Sequence, residues 1–177
     1  MATTRIRDYE VSPSDSFFFD TNVWLFIYGP IANVDTEKQK AYSSLLGSIT
    51  GRGAGIMISS LVVAEFINRI LRIEFRNWKK ATDNVNANFK NDFRNTADYL
   101  FAKGDAVNHV KEILNLATRK TDDFNNIDIP ALLDRFDQHC DYNDLYIATM
   151  CERGHHKLVT DDGDFEAAFP NLQIISA

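Results

Sequence analysis

Apolar residues along the chain fall into two patterns, short unbroken runs and longer stretches in which they recur every three or four positions. Phe17-Phe18-Phe19, closed by Asp20, reads as a short strand buried on both faces, since a run of this length ended by a polar residue fits a parallel sheet. Thr21 and Asn22 open a helix carrying Val23, Trp24, Phe26 and Ile27, which halts near Gly29-Pro30. Residues 36–49 form a second helix with Ala41, Leu45, Leu46 and Ile49 on one stripe. A glycine-punctuated loop at 51–55 leads to Ile56-Met57-Ile58, a second buried strand. Ser60 then N-caps a long helix whose apolar positions recur from Leu61 to Ile73, with Glu65 in its second turn.

The next stretch is more polar but still helical in period. Phe89, Phe93, Ala97, Leu100 and Phe101 form one stripe and Val107, Val110, Ile113, Leu114 and Ala117 another, which predicts a helical hairpin over about 78–118, broken at Gly104. Residues 121–128 read as a loop, and Pro130 suits the start of a short helix running to His139. Asp141-Tyr142-Asn143 leads into a helix over 144–152. After it come a strand at 157–160, a tight acidic turn at 161–164 and a final strand at 172–175. Strands alternating with helices predict an α/β sandwich around a mostly parallel sheet. No repeat or linker divides the chain, so the expected organisation is one domain over 17–177, with an enlarged helical insertion at about 78–128. Residues 1–16, polar and without periodicity, are expected to be a flexible tail.

Composition narrows the function classes. At 177 residues and 45% hydrophobic, the chain suits one globular core. No apolar run approaches the roughly 18 residues of a membrane span. Asp8, Glu10 and Asp15 precede the first apolar segment, the wrong order for a secretory signal, so a cytosolic location is expected. Cys140 and Cys151 lack C-x-x-C spacing and read as reduced core residues. The net charge of −6 argues at first against nucleic acid, but the charge is uneven: residues 69–120 carry 11 Lys or Arg against 6 Asp or Glu, the remainder 8 against 19. Arg69, Arg72, Arg76, Lys79 and Lys80 are candidate phosphate contacts, although a charge run on a helix is usually a solvated face.

Three carboxylates sit where surface chemistry explains them poorly: Asp20 after three Phe, Glu65 inside Val-Val-Ala-Glu-Phe-Ile, and Asp144 before Leu-Tyr-Ile-Ala. A carboxylate near a core is disfavoured unless paired, hydrogen-bonded or metal-bound. In an open parallel sheet the strand C-termini share one crevice, which would bring Asp20, the Thr160–Asp164 turn and the start of the Glu65 helix to one rim, with Asp144 in reach. Such a cluster remains ionised near neutral pH only beside a cation, and an all-oxygen donor set selects magnesium or manganese over zinc. The chemistry implied is phosphodiester hydrolysis.

Four segments in order, Phe-Phe-Asp20-Thr21-Asn22, Ser59-Ser60-Leu-Val-Val-Ala-Glu65, Asp144-Leu-Tyr-Ile-Ala-Thr149 and Leu-Val-Thr160-Asp-Asp162-Gly-Asp164-Phe, together resemble the PIN-domain family across nearly the whole chain. The resemblance implies a three-layer α/β/α sandwich, a magnesium or manganese site, and cleavage of single-stranded RNA to 5′-phosphate and 3′-hydroxyl ends. Asp20, Glu65 and Asp144 would be the principal acids and Asp162 the fourth, with Asn22, Thr160 and Asp164 in support. Asp161 and Asp164 compete with Asp162 for the fourth role. Many members are toxins of toxin-antitoxin pairs, so an antitoxin and a homodimer are the partners it implies. The stretch from 78 to 128 is longer than compact members need.

Plainer readings exist for each acid. Asp20 or Asp144 could be an N-cap, and Glu65 could pair with Arg69 at i+4. Asp141 reads as a loop residue, with steadying of Asp144 or of metal waters as its alternative role, and Asp164 as a turn or cap residue. Two other functions compete: a phosphatase or phosphotransferase built on Asp-x-Asp-x-Thr, whose second Asp is missing here, and a catalytically silent PIN-like scaffold that binds RNA or protein.

Overall fold

The structure is a computed structural model that describes residues 3–30, 35–136 and 140–177. Six strands, β1 (Thr4–Arg5), β2 (Ser16–Phe19), β3 (Gly55–Ile58), β4 (Thr118–Arg119), β5 (Lys157–Val159) and β6 (Ile174–Ser176), form one sheet in the order β1-β6-β5-β2-β3-β4. Every pairing is parallel, with Phe17 opposite both Ile56 and Lys157. Helices α1 (Thr21–Tyr28), α2 (Thr36–Arg52), α3 (Ser60–Ala81), α4 (Ala97–Leu116), α5 (Ile129–Leu133), α6 (Tyr142–Gly154) and α7 (Asp164–Ala168) connect them and complete an α/β/α sandwich. Parallel strands require such crossovers, and the helices cover both faces of the sheet.

The central strands are apolar on both faces because both faces are covered. Phe17, Phe18, Phe19, Leu158 and Val159 are fully buried, as are Trp24 of α1, Phe66 of α3 and Ile147 of α6. Each buried Phe contributes about 1.5–3 kcal/mol by leaving water. The chain runs from β2 outward through β3 to β4, then returns to the other side of β2 as β5 and continues to β6. Connectivity therefore reverses between β2 and β5, and the crevice beyond their C-terminal ends is the position where this architecture binds ligands.

Several elements depart from the expected pattern. Within 1–16, read as a flexible tail, Thr4–Arg5 pairs with β6 as an edge strand and Val11 is buried. The Arg5 guanidinium donates to the Ala177 carbonyl, and Lys157 of β5 bonds Asp15 just before β2. The break expected at Gly104 lies earlier: α3 runs to Ala81, the segment 82–96 contains only turns and a 3-10 turn at Phe93–Asn95, and α4 passes through Gly104 uninterrupted. Thr96, whose hydroxyl accepts from the Tyr99 N–H, supplies the helix start. Helix α2 continues through Gly51 to Arg52 and ends at Gly53 in the left-handed region, φ 72°. The short helix at Pro130 ends at Leu133; its expected extension to His139 reaches residues 137–139, outside those described.

Candidate active site

Asp20 is the first residue beyond β2 and the N-cap of α1. The residue is buried, at 6% exposure. Oδ1 accepts the Thr21 N–H at 2.6 Å and Oδ2 accepts the Thr160 hydroxyl at 2.9 Å. Capping and site geometry thus coincide, because a strand that passes directly into a helix leaves its junction residue both at the helix N-terminus and on the crevice. Thr160, the first residue beyond β5, is buried and acts as a hub: its Oγ1 also accepts from Asn22 Nδ2 at 3.3 Å and from the Asp162 N–H at 3.0 Å. Asn22 Oδ1 in turn accepts the Asp161 N–H at 3.3 Å. The two strand ends on either side of the reversal point are stitched together by these bonds.

Glu65 reaches the same junction from the second turn of α3. Its Oε2 accepts the Thr21 hydroxyl at 3.0 Å and its Oε1 pairs with Arg69 at 3.0 Å. The i,i+4 ion pair weighed from the sequence is therefore present. Arg69 is 59% exposed, and a pair so open to water contributes little, so it does not by itself account for the placement of Glu65 against Thr21. Asp144 lies in the first turn of α6, whose N-cap is Asp141: the Asp141 carboxylate accepts the Asp144 N–H at 3.0 Å. Asp141, read as a loop residue, takes the cap that Asp144 was considered for. The Asp-x-x-Asp spacing was the available signal.

Burial is the main reason that the Asp20 carboxyl is raised to about 6; the charges of Glu65 and Asp162 add to it, while the bonds from Thr160 and Thr21 oppose it. Asp144 is raised to about 7, first by burial, then by Asp141, Asp20 and Asp162, against the pull of the Asp141 backbone N–H on its carboxylate. Asp20, Glu65, Asp144 and Asp162 are thus electrostatic neighbours drawn from four distant segments. Of the three acids in the β5–α7 turn, Asp161 is turned away into a pair with Lys38 at 2.7 Å and a bond from the Tyr42 hydroxyl at 3.1 Å. Asp164 is exposed and its N–H bonds Asp162 Oδ1 at 2.9 Å. Asp162 is the member of the turn whose charge reaches both Asp20 and Asp144. Thr21, Lys38 and Tyr42 escaped the sequence reading, because nothing local marks a hydroxyl or amine that serves a residue 44 to 123 positions away.

Among the described residues, Asp20, Asp144 and Asp162 form no ion pair with Lys or Arg, while Lys38 is paired with Asp161 and Arg69 with Glu65. The donors are all hard oxygens, which fits magnesium or manganese. Among the described residues, no three acidic, histidine or cysteine side chains close on one point as a finished metal cage would. Both oxygens of Asp20 and of Glu65 already accept hydrogen bonds, an arrangement that suits an ion keeping much of its water and touching one or two carboxylates. A hollow of about 380 Å³, lined in part by Arg5, Lys38, Asp161, Asp162 and Gly163, lies on the Asp162 side of the cluster.

The fold and this rim define an α/β/α protein with an acidic crevice at the reversal point of a parallel sheet. The sequence profile of the PIN domain matches residues 17–169, and the chain belongs to the PIN domain family, a family of nucleases. Among solved structures, VapBC2 from Rickettsia felis bound to a DNA fragment from their promoter is similar in fold, at a TM-score of 0.52 and 15% identity, covering 91% of this chain and 98% of that one. No curated protein sequence matches the chain significantly. Among the described residues, no helix is long and apolar enough to cross a membrane.

Proposed function

We propose that this protein is a magnesium- or manganese-dependent endoribonuclease that cuts single-stranded RNA, and that it acts as the toxin of a toxin-antitoxin pair. The observation that carries the nuclease reading is the buried, hydrogen-bonded Asp20 facing Glu65, Asp144 and Asp162 without a balancing cation. The toxin reading rests on the family and on the fold likeness to a protein described as VapBC2 with promoter DNA. An antitoxin and a second copy of the chain are the partners that this reading assigns.

In this proposal Asp20, Glu65, Asp144 and Asp162 hold the ion, directly or through its water. The chemistry such an ion supplies when bound is activation of a water for attack and neutralisation of charge on the phosphate. The protein's own part is orientation. Thr21 and Thr160 fix both oxygens of Asp20, Asn22 ties the two strand ends together, and the Asp164 N–H steadies Asp162. The N-termini of α1 and α6 place partial positive charge beside Asp20 and Asp144, which offsets part of the repulsion among the acids.

The test combines metal titration and cleavage. Manganese should bind the wild-type protein with heat measurable by calorimetry, and a single-stranded RNA should be cut to 5′-phosphate ends in its presence. Asp20→Asn should remove both, with cleavage down by about 10²-fold or more, the scale of losing one transition-state contact. An Asp20→Asn protein that cuts as fast as wild type ends the metal reading. Wild-type protein that binds neither manganese nor cuts RNA is instead a silent scaffold.

A further inference from the structure

Glu65 is the first residue of a straight line on α3. At about 100° per residue, Arg69, Arg72 and Arg76 lie within about 40° of Glu65 around the helix, at i+4, i+7 and i+11. They stand progressively farther from the acidic rim, and Arg76 is about 16 Å along the axis. Glu74, the other acid of this helix, lies on the opposite side. A solvated helix face normally mixes signs in i,i+4 pairs. Here Glu65 is the only acid on the line, and among the described residues Arg72 and Arg76 have no carboxylate partner.

The segment 82–96 adds to this line. It folds against α3 through Phe89 and Phe93, whose rings meet Phe75 at 5.4 Å each. Arg72 lies 4.9 Å from the Phe89 ring centroid and Arg94, from the same segment, 5.5 Å. Both guanidinium groups remain exposed while the ring restricts where they can go, so less side-chain freedom is lost when they meet an anion. The result is a row of exposed guanidinium groups on a chain of net charge −6: Arg69, nearest the acidic site, is paired with Glu65, Arg72 and Arg94 rest against the Phe89 ring, and Arg72 and Arg76 have no carboxylate partner among the described residues.

We propose that the Arg69–Arg72–Arg76 line, extended by Arg94, is the track that holds the phosphates of single-stranded RNA flanking the bond to be cut, with the segment 82–96 serving to position it. The line as a substrate track rests on the nuclease reading above; the line as an RNA-binding surface does not. Guanidinium groups suit the role because each can take two oxygens of a phosphate. The row supplies a cationic landing place that the acidic rim alone would deny to RNA.

Binding should be measured apart from cleavage. A fluorescent oligouridylate of about 12 nucleotides is titrated by anisotropy in EDTA, which withholds the ion that cleavage requires, over roughly 50 to 300 mM KCl. Wild type should bind, and Arg72→Gln/Arg76→Gln should bind about 10- to 30-fold more weakly, its slope of log affinity against log salt shallower by about 1.4. Arg94→Gln should lose part of the same affinity. Glu74→Gln, on the opposite face, should bind like wild type. Arg76 makes no ion pair or ring contact among the described residues, so Arg76→Gln tests the charge without disturbing packing, and thermal melting verifies the fold. Unchanged affinity and slope in the double variant overturn the track, as does wild type that binds no RNA, or that binds an oligoglutamate peptide of equal charge in its place. Salt-dependent binding that needs the arginines, in a protein that cuts nothing with manganese, would sink the nuclease reading and leave the RNA surface standing.

Discussion

The Asp144 carboxyl titrates near 7 while the same group in the unfolded chain titrates near 4, so the folded protein holds the extra proton across that interval. Proton uptake by the folded state makes stability fall as pH rises from about 4 to 7, and above that the cost of keeping Asp144 charged is felt in full. Asparagine copies the protonated form. In EDTA, Asp144→Asn should therefore melt higher than wild type at pH 8, by about 2–4 °C for each kcal/mol of repulsion relieved, and match it near pH 4. Calorimetric melts at the two pH values check this. A variant that melts lower at both would mean that the Asp144 carboxylate is stabilised by its surroundings rather than crowded by Asp141, Asp20 and Asp162. Cleavage should be lost in the same variant, so the residue contributes activity at the expense of stability.

Helix α4 carries the lesson at the scale of elements. A Cβ on Gly104 would meet nothing within 4 Å, and its φ lies outside the left-handed region, so glycine is not needed there for space or for backbone conformation. Gly104→Ala should stabilise the protein by about 0.5–1 kcal/mol, read as a higher urea midpoint with an unchanged slope. A lower midpoint would point instead to a neighbour that needs the gap. The expected break at Gly104 failed for this reason: a lone helix glycine is a weak penalty, and the stronger stop signals were the Asn and Asp residues from Asp83 to Asn95 followed by the Thr96 cap. Strands β2, β3 and β5 were legible because double-sided burial demands unbroken apolar runs, and Asp20 at the tip of β2, like Glu65 in α3 and Asp144 in α6, was legible as a charge among apolar neighbours. Strands β1 and β4 were not, since each is a Thr-Arg pair at a sheet edge, recruited by β6 and β3 rather than by any pattern of its own. Thr21 carries no site role in the sequence reading, and Asp141 reads there as a loop residue over its alternative of steadying Asp144, because holding another residue depends on the fold being assembled first.

At the scale of the whole molecule, a metal site at the acid cluster, as proposed, would make stability and metal affinity respond to pH in opposite directions. Without metal, Asp20 and Asp144, raised to about 6 and about 7, weaken the fold as pH climbs through those values. An ion held by the same carboxylates requires them deprotonated, so its affinity rises over that interval. At pH 5.5 only about one Asp144 in thirty and one Asp20 in four is ionised by these values, which weakens the ion on the order of 10²-fold relative to pH 8. Manganese at about a hundred times its pH 8 dissociation constant should add about 2.7 kcal/mol there, or about 5–10 °C in Tm, and little at pH 5.5. Melting curves in EDTA should thus fall between pH 5.5 and 8 while the gain from manganese grows. An equal gain at both pH values would place the ion away from Asp20 and Asp144. The acid cluster would then be a feature of the crevice without being its metal site.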